Sequence, residues 1–420
     1  MGKRINIPKR NGRQASPARR EQFSFIDLFA GCGGLSEGFY RKGFNALAHV
    51  EIDKYACETL RKRMSFYGYK NADDAVIEHD ITDEHILDVI DGVVRNREVD
   101  IIIGGPPCQA YSTAGRARDP EGMKNDPRNF LFESYVKVLE HYMPKLFVFE
   151  NVTGLLSANV QGKQIIDEVL SALGRNYKLV TDTGRIVLNA VNYGVPQIRK
   201  RVIIFGVRKD LPISPDFLYD NLIKTHAAPD DVTSRKKLKK CVTVRDAIGE
   251  LPSLLQGEGK PEIPFTYSLG NEFLKRIGTS RNTILRDHLC RKHNPTDVER
   301  YREMSLNHWT FQELLQNRPD LKHEKARVFN NSYVVQFWDQ PSRTIIAHLV
   351  KDGNQYIHPD PAQGRTLTVR EAARLQSFPD DFEFAGSRGE KFRQIGNAVP
   401  PLFAEALASS ILKALWRISK

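Results

Sequence analysis

The chain has 420 residues, which is long enough to bury a large core and to form two or three domains. Its 40% hydrophobic and 27% charged residues are ordinary for a globular protein. No apolar run long enough for a bilayer and no secretory leader is predicted, so membrane insertion and secretion are not expected. The formal net charge of +11 favours a polyanionic partner. The five cysteines are Cys32, Cys57, Cys108, Cys241 and Cys290. Their odd number and the lack of a CxxC pair argue against a disulfide framework and a zinc site, and no metal is predicted.

Residues 1–22 are polar, basic and non-periodic, which predicts a flexible arm. From Phe23 onward, short apolar stretches bounded by turn signals alternate with helical patterns. Strands are predicted at Phe23–Phe29, Leu47–Val50, Val99–Ile103, Leu146–Phe149 and Val202–Val207, and helices at Phe130–Tyr142 and Ile165–Leu173. This alternation is typical of an α/β domain with a mainly parallel sheet.

The composition changes after the last of these strands. Residues 209–340 are rich in Pro, Asn, Lys and Arg and have weak periodicity, which predicts a separate, smaller and more irregular domain. A run of cations in this stretch fits a polyanion-binding surface and a solvated loop equally well; it consists of Arg235, Lys236, Lys237, Lys239 and Lys240. A helix is predicted within residues 366–378, where Thr368 and Glu371 have the spacing of a capping box, and an amphipathic helix is predicted from Pro400 onward.

A glycine-rich turn, Asp27–Leu35, follows the first predicted strand. Such a turn lets the backbone approach a ligand closely at the carboxyl edge of the sheet. The glycine spacing is not GxGxxG, because Ser36 stands where the last glycine would, and this weakens a dinucleotide interpretation. Glu51, at the end of the next strand, is suited to accepting hydrogen bonds from ribose hydroxyls, and Asp80 could accept a hydrogen bond from an adenine amino group. Each acid by itself fits a helix cap equally well.

Three further motifs follow predicted strands or lead into them. In Gly104–Ser112 (GGPPCQAYS), two prolines stiffen the approach to Cys108, which indicates a thiol held on a rigid turn at the sheet edge; an inert buried thiol is the alternative. Glu150, in FENV, ends an apolar strand and is an acid/base candidate. Arg199 and Arg201, in QIRKR, could hold a pyrimidine carbonyl, a phosphate or that glutamate; an ordinary salt bridge is the alternative.

Taken in order, DLFAGCGG, GGPPCQAYS, FENV, QIRKR, TLTVREAARLQSFPDDF and RQIGNAVPP resemble the motifs of the cytosine-5 DNA methyltransferase family. The resemblance runs from about Phe23 to Phe403, except for the variable middle. It implies an α/β fold, with an S-adenosylmethionine-dependent methyltransferase (Rossmann-like) sheet and a second, smaller target-recognition domain. The implied division is a basic arm at 1–22, a catalytic and cofactor-binding domain at 23–207, a target-recognition domain and hinge at 208–385, and a segment at 386–420 that completes the catalytic domain.

The resemblance also implies residue roles. Cys108 matches the nucleophile, Glu150 the carboxylate that contacts cytosine at N3 and its amino group, and Arg199 and Arg201 match arginines of the catalytic pocket. Positions that bind S-adenosyl-L-methionine in the family correspond to Phe29, Gly31, Gly33, Gly34, Leu35, Glu51, Ile52, Asp80, Ile81, Pro106, Asn397 and Val399. Residues 113–127 are expected to form a mobile loop that closes over DNA; an idle surface excursion is the alternative. The expected DNA contacts are Gln109 and Ser112, which precede this loop, and Arg116 and Arg118 within it.

The expected substrate is a cytosine flipped out of double-stranded DNA, and the expected setting is the cytoplasm of a bacterium. There the enzyme would act as a monomer, without a membrane, and would protect host DNA from a cognate restriction endonuclease without binding that nuclease. An RNA (tRNA) cytosine-5 methyltransferase is one alternative, because a related branch of the family modifies tRNA. A catalytically inactive DNA-binding protein of the same fold is the other, although the cysteine and the glutamate that it would lose are both present. A nicotinamide dehydrogenase is disfavoured by the glycine spacing.

Overall fold

The computed structural model describes residues 23–107, 131–160, 162–268, 270–322 and 333–420. The predicted arm lies outside these ranges. So do five predicted site residues, Cys108, Gln109, Ser112, Arg116 and Arg118, together with the predicted mobile loop.

The described strands are short, and most precede or follow a helix along the chain. They are β1 Ser24–Leu28, β2 Asn45–Glu51, β3 Val76–Glu78, β4 Ile101–Gly104, β5 Leu146–Val152, β6 Asn159–Val160, β7 Lys163–Gln164, β8 Tyr177–Leu179, β9 Val187–Asn189, β10 Lys200–Arg208, β11 His226–Ala227, β12 Lys239–Lys240, β13 Gly259–Thr266 and β14 Asn282–Leu289.

The described α-helices differ widely in length. They are α1 Gly34–Arg41, α2 Lys54–Phe66, α3 Ala72–Ala75, α4 Ile86–Val94, α5 Leu131–Tyr142, α6 Ile165–Leu173, α7 Thr183–Ile186, α8 Asp216–Asp220, α9 Val244–Ile248, α10 Glu272–Ile277, α11 Pro295–Asn307, α12 Phe311–Asn317, α13 Val369–Leu375, α14 Arg388–Asn397 and α15 Pro401–Ile418.

One large sheet organises the first half of the chain. Within the described ranges its strand order is β3-β2-β1-β4-β5-β10-β8, with β9 also paired to β10. The strands from β3 to β5 are parallel, whereas β10 pairs antiparallel with β5, β8 and β9. The chain order reverses between β1 and β4, and ligands of open α/β sheets bind at such a switch point, outside the carboxyl ends of the strands.

The predicted α/β sheet is confirmed, with strand ends that differ by up to three residues. The expectation of a mainly parallel sheet holds for its first five strands, and β10 then reverses direction. Helix α6 has the predicted bounds. Thr368 caps α13 in the predicted capping box, because its side chain accepts from the backbone N–H of Glu371 while the Glu371 carboxylate accepts from the backbone N–H of Thr368.

The carboxyl-terminal helix packs directly on the helix that follows the glycine-rich turn. A Cβ added to Gly38 in α1 would lie 2.3 Å from the backbone at Ala404 and Glu405 in α15, so the two helices meet backbone to backbone. Helix α8, whose residues fall within the predicted second domain, also contacts α15, because the Ser410 hydroxyl donates to the carbonyl of Leu218. The predicted domain boundaries stay a prediction.

Buried ion pairs fix the segment around α13. Arg365 and Glu371 pair at 2.7 Å, and Arg374 and Asp380 also pair at 2.7 Å, with all four side chains almost fully buried. Burial alone would raise the pKa of Glu371, but the Arg365 guanidinium holds it well below its usual value. Breaking either pair would leave a buried charge without its partner, which typically costs several kcal/mol.

The stretch Arg388–Ile418 is long and apolar enough by composition to cross a membrane, which the sequence prediction had not anticipated. However, 78% of its most apolar window is buried inside the protein. Helix α15 is therefore a core helix, and it packs against α1, α8 and the turn at Ala190–Tyr193.

Candidate active site

The glycine-rich turn after β1 forms a strained, open cradle. Phe29, Gly31 and Gly33 have φ angles of 56°, 54° and 86°, the left-handed region that glycine enters without steric cost. A Cβ added to Gly31 would meet nothing within 4 Å, so there is free space above this residue. Phe29 is half-buried at the mouth of the turn, whereas Gly34 and Leu35 are buried as α1 begins.

Glu51 holds this turn to the end of β2. One carboxylate oxygen accepts the backbone N–H of Gly31 at 2.7 Å, and the other accepts those of Ile52 and Asp53 at 2.9 Å each. Burial raises the pKa of the Glu51 carboxyl, and the three backbone donors oppose that shift. The predicted partner of ribose hydroxyls thus also shapes the glycine-rich turn.

The two predicted contacts after β3 lie near the same sheet edge. The Asp80 side chain is exposed, and one oxygen accepts the backbone N–H and the hydroxyl of Thr82, at 2.9 and 2.8 Å. Ile81 is buried, whereas Ile52, after β2, is 66% exposed. An exposed isoleucine beside an open glycine turn offers an apolar surface for a flat ring.

The carboxyl-terminal segment reaches the glycine-rich turn. A Cβ on Gly34 would lie 2.4 Å from the carbonyl oxygen of Val399 and 3.0 Å from the Cβ of Ala398, so this approach requires glycine. Asn397, at the end of α14, is exposed. The structure thus brings Val399 and the glycine turn together although they are distant in sequence.

A buried polar group lies beneath this turn. The Ser36 hydroxyl donates to one carboxylate oxygen of Asp27 at 2.5 Å, and the other oxygen has no hydrogen-bond partner among the described residues. Tyr40 hydrogen-bonds His49 at 2.7 Å. Burial raises the pKa of Asp27 to about 8 and lowers the pKa of His49 to about 3, so both are uncharged near neutral pH.

The approach to Cys108 lies against the end of β5. A Cβ added to Gly105 would be 2.7 Å from a carboxylate oxygen of Glu150, so the missing side chain makes room for that carboxylate. The Asn151 amide donates to the carbonyl of Pro106 at 3.1 Å. Strand β5 therefore fixes the backbone up to Pro107, the residue that precedes Cys108 in the chain.

Arg201 completes this part of the site. Its Nε lies 3.0 Å from the other oxygen of Glu150, and the two side chains are 10% and 13% exposed. Burial lowers the pKa of Arg201, and Glu150 partly restores it. Because β10 runs antiparallel to β5, its first residues lie beside Glu150, and this places the predicted arginine and glutamate together.

Arg199 lies in a different environment. Its guanidinium is almost fully buried and donates to the carbonyls of Ile345, at 2.8 Å, and Gly396, at 3.4 Å, while its Nε has no hydrogen-bond partner among the described residues. Burial lowers its pKa well below the ordinary value, and the nearby Arg201 adds to that shift. Arg199 thus connects β10 to the residue before Asn397 rather than pairing with Glu150.

Residues 23–413 match the family model of the C-5 cytosine-specific DNA methylases. The chain belongs to this family. Its activity is therefore methyl transfer to carbon 5 of cytosine in DNA, with S-adenosylmethionine as the cofactor.

This methylase is 34% identical to the type II methyltransferase M.Bpa9945I of Bacillus paralicheniformis, over 92% of the chain and 98% of the relative. It is 33% identical to the type II methyltransferase M.DdeI of Desulfomicrobium norvegicum, over 92% and 88%. An E. coli prophage protein, described as a DNA modification methyltransferase, has a similar crystal structure, with a TM-score of 0.66 and 26% identity over 94% of this chain and 99% of that one.

The described residues fit the cofactor. The open space above Gly31, the carboxylate of Glu51 and the exposed Ile52 lie at the switch point, where the amino-terminal end of α1 also points. A glycine turn with room for a close approach and an acid beside it suit a ribose and its attached base. Bound there, S-adenosylmethionine would supply an electrophilic methyl group.

The sequence prediction missed three residues that shape the site. Gly105 makes room for Glu150, and Asn151 holds the carbonyl of Pro106. The Gln197 side chain accepts the N–H of Ile345 at 2.9 Å and donates to the carbonyl of Leu375, at the end of α13, at 3.1 Å. All three stand inside the quoted motifs, so their positions within those motifs were the available signal.

Proposed function

We propose that this methylase binds a flipped cytosine between Glu150, Arg201 and Cys108. The main support is the ion pair of Glu150 and Arg201, which lies beside Gly105 at the carboxyl edge of the sheet. A cytosine inside a duplex cannot present its ring face to a protein thiol, so the base must leave the stack, at a cost of a few kcal/mol. The buried ion pair offers an acceptor and a donor for the polar edge of that base.

The chemistry requires a nucleophile because carbon 5 of cytosine is too unreactive to take a methyl group directly. The Cys108 thiolate adds to carbon 6, forming a sulfur–carbon bond and moving the double-bond electrons toward carbon 5. Glu150 at N3 assists by hydrogen bonding or proton donation as negative charge develops in the ring. After methyl transfer, a water molecule accepts the proton from carbon 5 and Glu150 regains any proton it gave to N3. The carbon–sulfur bond then breaks, the double bond re-forms and the Cys108 thiolate is released.

Arg201 and Arg199 have separate parts in this proposal. Arg201 orients the Glu150 carboxylate and is near enough to contact the pyrimidine. Arg199 positions the site from behind, because its guanidinium ties the loop at Ile345 to the end of α14 at Gly396. Substitution of Arg199 should therefore weaken cofactor binding through Asn397 more than it alters the reaction itself.

For the cofactor, we propose that Phe29, Glu51, Ile52 and Asp80 contact the nucleoside. The glycine turn, Pro106 and the Asn397–Val399 segment would enclose the rest. These residues follow the carboxyl ends of β1, β2, β3 and β4 or the end of α14, and none of them forms part of the Glu150 and Arg201 pair. Cofactor binding and base binding should therefore respond to different substitutions.

We also propose a biological setting. The relatives are type II methyltransferases, which supports a role in protecting host DNA from a restriction endonuclease that acts on the same sequence. Residues 208–385 would read base edges, with lysines and arginines fixing phosphates. A reaction at one base at a time suits a monomer acting on double-stranded DNA in a bacterial cytoplasm, without a physical complex with the nuclease.

The test is to incubate the purified protein with S-adenosylmethionine and unmethylated plasmid, and to map 5-methylcytosine by bisulfite sequencing. Cys108→Ala should abolish methylation, and Glu150→Gln should lower kcat by about 10²-fold or more. Glu140→Gln is the matched control, because Glu140 is an exposed glutamate on α5 whose ion-pair partner, within the described ranges, is the exposed Arg175.

A short recurring methylated sequence, absent with Cys108→Ala and retained with Glu140→Gln, would support the proposal. Methylation of tRNA but not of plasmid would favour the RNA alternative. Binding of DNA without methylation of either substrate would favour an inactive reader. Full activity of Cys108→Ala would refute the assigned nucleophile.

A further inference from the structure

A compact set of cations follows the large sheet in the chain and has no role in the site described above. This basic surface consists of Lys224, Arg235, Lys236, Lys237, Lys239 and Lys240, all of them exposed. Lys239 pairs with Glu272 at 2.8 Å, and Arg235 donates to the carbonyl of Pro229. In the part of the chain that the structure describes, Lys236, Lys237 and Lys240 form no ion pair, so their charge is open to a partner.

The basic surface is fixed to the catalytic half of the protein. Strand β12 pairs with β11. The N–H of Lys239 donates to the carbonyl of Thr225 at 3.1 Å, and the N–H of Thr225 donates to the carbonyl of Asn192 at 2.9 Å. The Asn192 amide donates to the carbonyl of His226 at 3.2 Å. This ladder of hydrogen bonds distinguishes the basic surface from a solvated loop, because its backbone is held against the turn that follows β9.

That turn lies close to the catalytic carboxylate. Strand β9 pairs with β10, where Leu188 lies opposite Arg201, and Arg201 is the partner of Glu150. Neighbouring strands are about 4.8 Å apart, so the three spacings β5–β10, β10–β9 and β11–β12, with the turn after β9, put the basic surface on the order of 15–20 Å from Glu150. Duplex DNA rises about 3.4 Å per base pair, so this distance corresponds to roughly five base pairs.

We propose that the basic surface binds the phosphate backbone of DNA flanking the recognition site, on the β9 side of the target cytosine. This inference rests on the proposed function, because it takes the flipped base to lie at Glu150. Lysine ammonium groups are point charges that contact phosphates without reading bases. The basic surface therefore adds affinity and orientation for flanking DNA, and it leaves the recognised sequence unchanged.

The test compares the wild-type protein with K236Q/K237Q/K240Q. The matched control, K70Q/K209Q/K420Q, removes three exposed lysines that lie outside the basic surface. DNA binding is measured as a function of salt on duplexes that carry the mapped site. On each side of the site the flank is either about 3 or about 12 base pairs long, because only the longer flank spans the estimated distance.

On the duplex whose long flank lies on the β9 side, the basic-surface variant should bind on the order of tenfold more weakly than the wild-type protein. The slope of its log affinity against log salt concentration should be smaller by about 2 to 3. Its kcat, its methylated sequence and its binding to the short duplex should match those of the control. Equal salt slopes for the two variants, or a loss that does not depend on flank length, would overturn the inference. Failure of the wild-type protein to methylate any of these duplexes would instead refute the proposed function on which the inference depends.

Discussion

Replacement of Gly105 by alanine should damage catalysis while leaving the fold intact. The added Cβ would lie 2.7 Å from the Glu150 carboxylate, whereas contacts under 3.0 Å essentially never occur and ordinary ones begin at 3.4 Å. The carboxylate must therefore retreat by about 0.3–0.7 Å, which is cheap because it is the end of a flexible side chain. The same movement strains its 3.0 Å pair with Arg201.

The cost should appear in kcat. A misplacement of the order of 1 Å at a catalytic group can lower the rate about 10²-fold, so we expect Gly105→Ala to lose roughly 10- to 100-fold in kcat. The free energy of unfolding should change by less than about 1 kcal/mol, because no backbone atom has to move. Steady-state methylation of a plasmid and urea unfolding measure the two quantities.

Two other glycines serve as controls for Gly105→Ala. A Cβ on Gly92, in α4, would meet nothing within 4 Å, so Gly92→Ala should retain both activity and stability. A Cβ on Gly104 would lie 2.5 Å from the backbone carbonyl of Leu28, so Gly104→Ala should destabilise the fold itself. If Gly105→Ala kept the wild-type kcat, or lost activity only in proportion to lost folded protein, the assignment of Glu150 would be refuted.

Three further predictions follow from buried groups. The pKa of Asp27 is raised to about 8 in the folded chain, and the pKa of His49 is lowered to about 3. Between pH 3.8 and pH 6.5 the folded chain therefore holds one proton, on Asp27, and the unfolded chain also holds one, on His49. Above pH 6.5 only the folded state keeps one, so stability is lost as the pH rises toward 8, by up to about 1.4 kcal/mol per pH unit, and urea unfolding should show that Asp27→Asn abolishes this decline. Arg199→Met leaves two backbone carbonyls without donors, so the free energy of unfolding in urea should fall by about 1–3 kcal/mol. The same variant should bind S-adenosylmethionine with a higher Kd in calorimetry, and an unchanged Kd would exclude the positioning role of Arg199. Thr368→Ala removes the cap of α13 and should lower the free energy of unfolding by about 1 kcal/mol, whereas Thr368→Ser should restore it.

The local pattern of the sequence was sufficient for the elements of the sheet and for the order of the motifs. Short apolar runs bounded by turn residues predicted the strands, because a buried strand and its turn are specified by neighbouring residues. Helix α6 and the capping box at Thr368 were predicted for the same reason. Strand ends were less well predicted, since hydrogen bonding to neighbouring strands extends β5 and β10 beyond their apolar residues.

The family, the fold class and the candidate residues Cys108, Glu150 and Arg201 could be predicted from the chain alone, because the motifs that contain them are continuous. How those motifs meet depends on the packing of the whole chain. The antiparallel β10 places Arg201 beside Glu150, and the guanidinium of Arg199 reaches Gly396, 197 residues away. Hydrophobic period and turn chemistry describe neighbours along the chain. Contacts between motifs depend instead on strand order, strand direction and backbone clearance, which appear only when the whole chain is packed.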